Sequence, residues 1–282
     1  VDLMNPLISY FSDISTAVID PNILGRKSST SRLGKYPHEA YLHGESSEIV
    51  RDPRYAHHLY LGAATDDGND GGFWKSTNNG NSFELLHDFG TGKVTGIEIS
   101  RQNPDLLYCV YNKINVYKSL DGGNTWEITA DLPSSGKKLI SINPANDQEL
   151  WVFAHTHNNA NKVFRTLDEG ETWTNMTTPT LEGHRINDGL FQGGSPSARV
   201  YVVSSYGLFY WDSTTNDWIN YREGLPFVMG DVKHIFKPFY RDSKIRLSSV
   251  MGVWEAPFES TSLPIAQPMT SKEVVYCSRD TV

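Results

Sequence analysis

Side chains that could perform chemistry are concentrated in a few short segments rich in oxygen atoms or imidazole rings. The stretch TDDGNDGG, residues 65–72, contains Asp66, Asp67, Asn69 and Asp70. Their oxygens are of the kind that Ca²⁺ binds, and the ion takes about six to eight of them. The pattern completes no calcium-loop signature, and Asp, Asn and Gly are also the residues of tight turns. We therefore expect either a turn or a calcium site here, and no other cofactor is indicated.

Two histidines stand in the segment HTHNNANK, residues 155–162. His155 and His157 are two positions apart, so in an extended segment both side chains lie on the same side. Two imidazoles without a third ligand nearby make an incomplete zinc site. A solvated loop and a contact with a sugar are the alternatives, and we take both histidines as candidate binding residues.

One eight-residue motif occurs three times. It is written STNNGNSF at residues 76–83, SLDGGNTW at 119–126 and TLDEGETW at 166–173. An Asp or Asn side chain can accept hydrogen bonds from nearby backbone N–H groups, and a Gly supplies a positive φ. The motif therefore indicates a structural turn, and we do not expect its acidic residues Asp121 and Asp168 to be catalytic.

Short runs of β-branched and aromatic residues surround each copy of the motif. Directly before the three copies stand GGFWKS, INVYKS and NKVFRT, and further runs precede these after Asn/Asp-Pro turns. Such runs, bounded by Gly, Asn, Asp and Pro, are typical of strands. The units repeat roughly every 45 residues with four strands each, which predicts an all-β fold of propeller blades. A β-sandwich with coincidental turns is the alternative.

The motif resembles the Asp-box of the BNR repeat, which is found in sialidases, family 74 glycoside hydrolases, sortilin-type receptors and bacterial surface proteins. The first copy departs from the pattern, with Asn78 and Phe83 in place of Asp and Trp. The resemblance covers roughly residues 13–260 and implies a β-propeller of about five to seven four-stranded antiparallel blades. The structural Asp-box positions that it implies are Ser76, Asn78, Gly80, Ser82, Phe83, Ser119, Asp121, Gly123, Thr125, Trp126, Thr166, Asp168, Gly170, Thr172 and Trp173.

The same resemblance implies where a ligand would bind. In a propeller, the loops between the second and third strands share one rim with the connections between blades, and the Asp-box turns lie on the opposite face. Tyr111, His155, His157 and Tyr206 fall in the rim segments and are the candidate binding residues. Asp188 and Asp231 begin inner strands, and they are weak candidates for acid/base catalysis.

Enzymatic activity has little support in the sequence. The Phe/Tyr-Arg-Ile-Pro motif of sialidases does not occur in the chain. Family 74 hydrolases place two acidic residues between two propellers, and this chain holds at most one. We expect a non-catalytic scaffold or recognition module for a carbohydrate or a protein. A glycoside hydrolase and a structural subunit of a surface complex are the alternatives.

Composition limits the partners. The net charge of −8 and the pI near 5.6 argue against nucleic acid, because phosphate binding needs a concentrated basic face. Two cysteines cannot form a disulfide framework, and no apolar stretch is long enough to span a membrane. We expect the ligand to bind on the propeller rim. The neighbouring domains of the parent chain are the further partners that we expect.

The pattern of repeats ends after residue 262. Residues 263–282 form a Pro-containing linker and a run that resembles the first strand of a PKD-type domain. We expect residues 1–262 to be the propeller, incomplete at its N-terminal side. The arrangement resembles large exported surface proteins of the Bacteroidetes type, which implies a secreted or cell-surface location.

Overall fold

Antiparallel strands account for most of the chain that the structure describes. The computed structural model describes residues 9–11, 17–19, 48–63, 71–80, 82–90, 92, 94–112, 115–133, 136, 138–157, 160–192, 199–205, 207–221, 225, 232–236, 244–249 and 252–257. In these ranges the helical content is one short 3₁₀ turn, Pro179–Leu181. The prediction of an all-β fold is confirmed.

The strands form a series of consecutive sheets. A two-stranded hairpin comes first, with β1 at Ser9–Phe11 and β2 at Ala17–Ile19. Sheet A consists of β3 (Glu48–Arg51), β4 (Leu59–Ala63), β5 (Gly72–Ser76) and β6 (Glu84–Asp88). Sheet B consists of β7 (Val94–Ile99), β8 (Leu107–Tyr111), β9 (Asn115–Ser119) and β10 (Glu127–Asp131). Sheet C consists of β11 (Lys138–Asn143), β12 (Asn146–Ala154), β13 (Val163–Thr166) and β14 (Thr174–Asn175).

Two more sheets follow. Sheet D consists of β15 (Ile186–Gln192), β16 (Arg199–Ser204), β17 (Gly207–Asp212) and β18 (Asp217–Tyr221). Sheet E has three described strands, β19 (Val232–Phe236), β20 (Lys244–Ser249) and β21 (Gly252–Pro257). In each sheet the strands are neighbours in sequence order, as in a meander. The prediction of four-stranded antiparallel sheets is confirmed for sheets A to D.

The chain forms two compact units. Unit 1 comprises residues 1–152 and 164–174, and unit 2 comprises residues 153–163 and 175–282. In unit 1, buried side chains of sheet A such as Tyr60 and Phe73 pack with Ile97 and Leu107 of sheet B. A second cluster joins sheets B and C, and in unit 2 a third cluster joins sheets D and E. Each sheet therefore buries its faces against the next sheet of its unit.

Close approach between sheets explains a glycine in the middle of β4. A Cβ atom at Gly62 would lie 2.5 Å from Cγ1 of Val94 and 2.9 Å from Cδ1 of Ile97, both in β7. Contacts this short are forbidden, so a larger residue would push sheets A and B apart. The outermost strands differ from this core, because β6 and β10 each have exposed residues at both ends. The inner strands of sheets A and B thus carry the core, and β6 and β10 are partly exposed.

Candidate functional site

The second copy of the eight-residue motif, which we call the Asp-box motif after the pattern that it resembles, forms the hairpin between β9 and β10. The Ser119 hydroxyl donates to Asp121 Oδ1 at 2.9 Å and accepts the N–H of Gly123 at 2.9 Å. Asp121 Oδ1 also accepts the N–H of Thr125 at 2.8 Å, and the Thr125 hydroxyl donates to Oδ2 at 2.6 Å. The Trp126 indole N–H donates to the carbonyl of Gly123 at 3.0 Å. The carboxylate is thus committed to holding the turn.

The third motif, between β13 and β14, repeats this arrangement. The Thr166 hydroxyl donates to Asp168 Oδ1 at 2.6 Å and accepts the N–H of Gly170 at 3.0 Å. Thr172 donates its N–H to Oδ1 and its hydroxyl to Oδ2 of Asp168, at 2.9 and 2.5 Å. The Trp173 indole N–H donates to the Gly170 carbonyl at 2.9 Å. Two sequences that differ at three of eight positions therefore build one turn.

The first motif, between β5 and β6, shows how the divergent copy works. Asn78 Oδ1 accepts the Ser76 hydroxyl at 3.0 Å and the N–H of Ser82 at 2.9 Å. The Asn78 amide then donates to the Ser82 hydroxyl at 2.8 Å, which reverses the direction of the corresponding bond in the other two copies. Ser76 Oγ accepts the N–H of Gly80 at 2.8 Å. Asn therefore replaces Asp without loss of the turn.

Hydrogen bonds keep the two Asp-box carboxyl groups charged. The hydroxyls of Thr166 and then Thr172 lower the pKa of Asp168 to about 2. The pKa of Asp121 is lowered for the same reason, and the Thr125 hydroxyl makes the largest contribution. A general acid needs a pKa raised toward the working pH. These carboxyl groups are therefore suited to stabilising a turn and not to transferring a proton.

The fourth residue of every motif fixes the hairpin to the turn between the first two strands of its own sheet or, in sheet C, to the start of the second strand, β12. The N–H of Asn79 donates to the carbonyl of His57, and the N–H of Gly122 donates to the carbonyl of Asp105, each at 3.0 Å. The N–H of Glu169 donates to the carbonyl of Gln148 at the same distance. The Asp-box hairpins of sheets A, B and C therefore lie at the same end of each sheet as the turns between the first and second strands.

The motif also packs against the preceding sheet. The Trp126 ring meets the Phe73 ring of β5 edge-on, with centroids 4.9 Å apart. Gly123 has φ +92°, and a Cβ atom there would lie 2.4 Å from the Phe73 ring. In the next copy, Glu169 binds Lys118 of β9 at 2.6 Å. The repeat is thus a connector between neighbouring sheets.

A buried lysine organises the other end of the β12–β13 hairpin, in unit 2. Lys162 closes the loop between these strands and is fully buried. Its ammonium donates to the carbonyl oxygens of Leu181 and His184, each 2.5 Å away. Its backbone N–H donates to the Thr177 hydroxyl at 2.8 Å. This lysine therefore ties its own loop to the segment of residues 177–184 that leads into sheet D.

His184 continues this network toward the second and third strands of sheet D. Its Nδ1 lies 3.0 Å from the hydroxyl of Ser204 at the end of β16, and its ring meets the Phe209 ring edge-on at 4.8 Å. The N–H of Ser205 donates to the carbonyl of Arg185 at 3.2 Å. We call the cluster of Lys162, His184, Arg185, Ser204 and Ser205, together with the exposed His157 of the loop that Lys162 closes, the unit 2 rim.

Burial sets the protonation of this rim. It lowers the pKa of Lys162, and the nearby Glu182 carboxylate raises it by a smaller amount. Burial, with a further contribution from the Lys162 charge, also lowers the pKa of His184. His184 is therefore neutral at pH 7, and one of its ring nitrogens can accept a hydrogen bond. The unit 2 rim thus combines one buried cation with neutral and polar groups.

The predicted rim histidines lie in the loop that Lys162 closes. The N–H of Ala154 donates to the carbonyl of Lys162 at 2.8 Å, which completes the loop. His155 is half-buried and His157 is exposed. The side-chain amide of Asn175 donates to the carbonyl of Ala160 at 2.6 Å. The structure therefore places both histidines on a fixed loop, with His157 available to a ligand.

The two other predicted site residues that the structure describes, Tyr111 and Asp188, are buried and half-buried, respectively. Tyr111, in unit 1, is buried, its hydroxyl donates to the carbonyl of Phe89 at 3.0 Å, and its ring stacks on the Phe89 ring at 5.1 Å. This packing occupies the ring that we predicted would contact a ligand. Asp188 lies half-buried in β15, next to a register irregularity, and accepts the N–H of Gly189 at 2.8 Å.

Several predicted residues lie outside the described residues. They are Asp66, Asp67, Asn69, Asp70, Tyr206, Asp231 and the segment 263–282. In the part of the chain that is described, no group of three His, Cys, Asp or Glu side chains is arranged to hold a metal ion. Within the same part, none of the helices has the length and apolar character of a membrane span.

Lys162 ends a predicted rim segment, residues 155–162, and His184 lies near a predicted connection between blades, but the sequence did not reveal that the two residues contact each other. Lys162 precedes the apolar pair Val163 and Phe164, and His184 follows a glycine in a segment without any motif. Their importance comes from contacts between residues about 20 positions apart, 162 with 181 and 184, and 184 with 204. A charged residue directly before a strand is too common a pattern to have indicated them.

No family model matches the chain. A curated relative, the vacuolar protein sorting/targeting protein 10 of Fusarium vanettenii, is 26% identical over 103 residues, which are 36% of this chain and 6% of that protein.

Solved structures resemble a larger share of the chain. The GH74 enzyme of Niastella koreensis has a TM-score of 0.59 and 19% identity over 72% of this chain and 33% of its own. The GH74 xyloglucanase from Xanthomonas campestris has a TM-score of 0.56 and 16% identity, over 74% of this chain and 37% of its own. The β-propeller domain of Myceliophteria thermophila Cps50 (Swd1) has a TM-score of 0.55 and 11% identity, over 81% of this chain and 70% of its own.

These similarities establish the fold. The chain is a β-propeller of four-stranded antiparallel blades, and sheets A to D are such blades. The same fold serves glycoside hydrolases and proteins of other kinds, so the fold does not select an activity. The chain spans about a third of the length of the two GH74 enzymes.

Proposed function

We propose that this chain is a non-catalytic recognition module of a larger extracellular or cell-surface protein, and that the unit 2 rim contacts its carbohydrate or protein ligand. The proposal includes membership of the BNR/Asp-box superfamily and a PKD-like segment at residues 263–282. The parent protein would resemble exported surface proteins of the Bacteroidetes type.

The state of the carboxyl groups carries this proposal. Glycoside hydrolysis requires one carboxyl group with a raised pKa beside a second that stays ionised. Among the described residues, every carboxyl group with a shifted pKa has it lowered. Burial alone would raise the pKa of Asp52, but hydrogen bonds and the charge of Arg54 outweigh it. These groups act as fixed hydrogen-bond acceptors.

The unit 2 rim supports recognition because its polar groups are fixed in advance. Lys162 and Asn175 hold the loop of His157 from two sides, and the Ser205 bond to the Arg185 carbonyl fixes the neighbouring segment. A ligand that binds such a rim orders few side chains, so less of the interaction energy is lost as conformational entropy. Binding sites on loops of a rigid scaffold are the usual arrangement.

The comparisons add support of a general kind. The vacuolar protein sorting/targeting protein 10 of Fusarium vanettenii is 26% identical to this chain over 103 residues. Its name describes protein sorting and targeting, which agrees with a recognition role. The chain covers only 6% of that relative and about a third of the GH74 enzymes, so a function within a larger protein is consistent with both.

One experiment separates recognition from hydrolysis. The chain is incubated with immobilised polysaccharides, and both its retention and the release of reducing ends are measured in the same sample. The proposal expects retention without new reducing ends, and weaker retention by the double variant His157→Ala, Arg185→Ala than by the matched variant Leu167→Ala. New reducing ends that disappear in Asp188→Asn would replace the proposal with a glycoside hydrolase.

A protein ligand requires a second arm of the test. If the chain retains no polysaccharide, the carbohydrate part of the proposal is wrong. Cross-linking within the intact parent protein then shows whether residues 155–162 contact a polypeptide. The absence of both polysaccharide retention and any such cross-link would contradict the recognition role as a whole.

A further inference from the structure

The turn between β3 and β4, in unit 1, holds a cluster of rings at its surface. Tyr55 is 48% exposed, which is the highest value for an aromatic residue among the described residues. The His58 ring lies 4.7 Å from the Tyr55 ring, and the exposed His57 ring lies 4.6 Å from that of His58. Arg54 stands with its guanidinium carbon 5.7 Å from the centre of the Tyr55 ring. We call these four residues the Tyr55 platform.

The platform is rigid because hydrogen bonds fix its backbone. The N–H of Tyr55 donates to the Asp52 carbonyl at 3.3 Å, and the N–H of His58 donates to the Tyr55 carbonyl at 3.0 Å. Asp52 is fully buried, and its carboxylate accepts both the N–H and the guanidinium of Arg54. The carbonyl of His57 is bound by Asn79 of the first Asp-box. The exposed ring of Tyr55 is therefore presented on a preformed surface.

Charged groups that pair with one another stand beside the rings. The Arg54 guanidinium also binds the Asp105 carboxylate at 2.7 Å, which links the turn to sheet B. The Asp105 side chain is 54% exposed, so part of its carboxylate still faces solvent. One guanidinium between two carboxylates leaves a net negative charge, which disfavours an anionic ligand. The polar groups are thus suited to a neutral ligand rich in hydroxyl groups.

The Tyr55 ring has an apolar backing. The pKa of His58 is lowered by burial and then by the charges of His57 and Lys75, so this imidazole is neutral at pH 7. Its Nδ1 is buried, and no described residue supplies a hydrogen-bond partner for it. His58 is therefore held by ring packing and supports Tyr55 from one side. An exposed aromatic face beside a few fixed polar groups is the combination that binds a small ligand in an oriented way.

We infer that the Tyr55 platform is a carbohydrate-binding subsite, in which Tyr55 stacks on the apolar face of a neutral pyranose ring and the Arg54–Asp105 pair binds its hydroxyl groups. This inference goes beyond the proposed function of the unit 2 rim, because it assigns a second binding surface and a class of ligand. It rests on the proposed function only in that both surfaces bind a ligand without catalysis. Uronic acids and other anions are disfavoured, since the cluster carries two carboxylates for one guanidinium.

Affinity electrophoresis tests the subsite. The chain migrates in native gels that contain hydroxyethylcellulose, xyloglucan, galactomannan or arabinoxylan, with polygalacturonate as the acidic comparison. At least one neutral polysaccharide should retard the wild type, and polygalacturonate should not. Tyr55→Ala should raise the dissociation constant about tenfold, as expected for the loss of a central aromatic contact. Tyr55→Phe keeps the ring and should change it by less than about threefold.

Leu167→Ala is the matched control, because Leu167 is 56% exposed and lies in an Asp-box hairpin of the same unit. Its mobility should equal that of the wild type in every gel. Circular dichroism of each variant verifies that the fold is intact. The subsite is refuted if no neutral polysaccharide retards the wild type, or if Tyr55→Ala is retarded as strongly as the wild type. Retardation that survives Tyr55→Ala but is lost in the His157→Ala, Arg185→Ala variant refutes the subsite and leaves the proposed function standing.

Discussion

The substitution Lys162→Met tests whether the buried lysine organises the unit 2 rim. Methionine fills nearly the same volume but cannot donate to the carbonyls of Leu181 and His184. A hydrogen bond from a charged donor contributes about 1.5–3 kcal/mol, so the loss of two removes about 3–6 kcal/mol. Release of the partly desolvated ammonium offsets part of this loss. We expect the free energy of unfolding to fall by about 3 kcal/mol.

Urea unfolding followed by tryptophan fluorescence measures this change, and Lys118→Met is the control. Lys118 makes one ion pair, with Glu169 at 2.6 Å, and the Glu169 side chain is 37% exposed. An ion pair of this kind contributes about 1 kcal/mol or less. Lys162→Met should therefore be the more damaging substitution by at least about 2 kcal/mol. Equal effects of the two substitutions would refute the organising role of Lys162.

Three further predictions concern the Asp-box and the rim. Gly123→Ala adds a Cβ atom 2.4 Å from the Phe73 ring at φ +92°, whereas in Gly170→Ala the atom nearest to the new Cβ is 3.1 Å away. We expect the free energy of unfolding in urea to fall by about 3 kcal/mol for Gly123→Ala and by about 1 kcal/mol for Gly170→Ala. Equal losses would contradict the packing of Gly123 against Phe73. Because the pKa of Asp168 falls from 3.8 to about 2 on folding, its contribution to stability is present above pH 3.8 and is lost as the pH falls through about 2. In Asp168→Asn the melting temperature should therefore depend less on pH between these values. Identical pH profiles of the melting temperature in the two proteins would contradict the lowered pKa. The folded-state pKa of His184 lies below 6.5, so the unfolded chain binds more protons and stability should fall as the pH drops below 6.5; an NMR titration midpoint at or above 6.5 would contradict this.

The Asp-box turns could be predicted from the sequence because their contacts are local. Asp121 and Asp168 bind groups no more than four residues away, so the residue types at each position carry the whole arrangement. The strands were predictable for a similar reason, since each run of β-branched and aromatic residues is bounded by turn residues. The turn could also be predicted for the first copy, where Asn78 replaces Asp, because the side-chain oxygen Oδ1 of Asn78 accepts the same backbone N–H bond.

The candidate site could not be predicted to the same degree, because its contacts join distant residues. Lys162 gains its role from carbonyls about 20 residues away, and no side-chain type marks a backbone carbonyl as an acceptor. Tyr111 was a candidate because its segment falls on the predicted rim, and the sequence did not reveal that its ring stacks on the Phe89 ring. Tyr55 was overlooked because an exposed aromatic residue in a turn has no pattern that separates it from a packed one.

The most direct test of the account is a carbon-13 NMR titration of every side-chain carboxyl group in the chain. The central claim is that these groups serve structure and recognition, which requires that none of them is held protonated near neutral pH. We expect Asp168 to titrate near 2, and the pKa values of Asp121, Asp212 and Asp217 to lie below the ordinary value of 3.8. A carboxyl group that is held protonated near neutral pH would contradict the claim and identify a general acid.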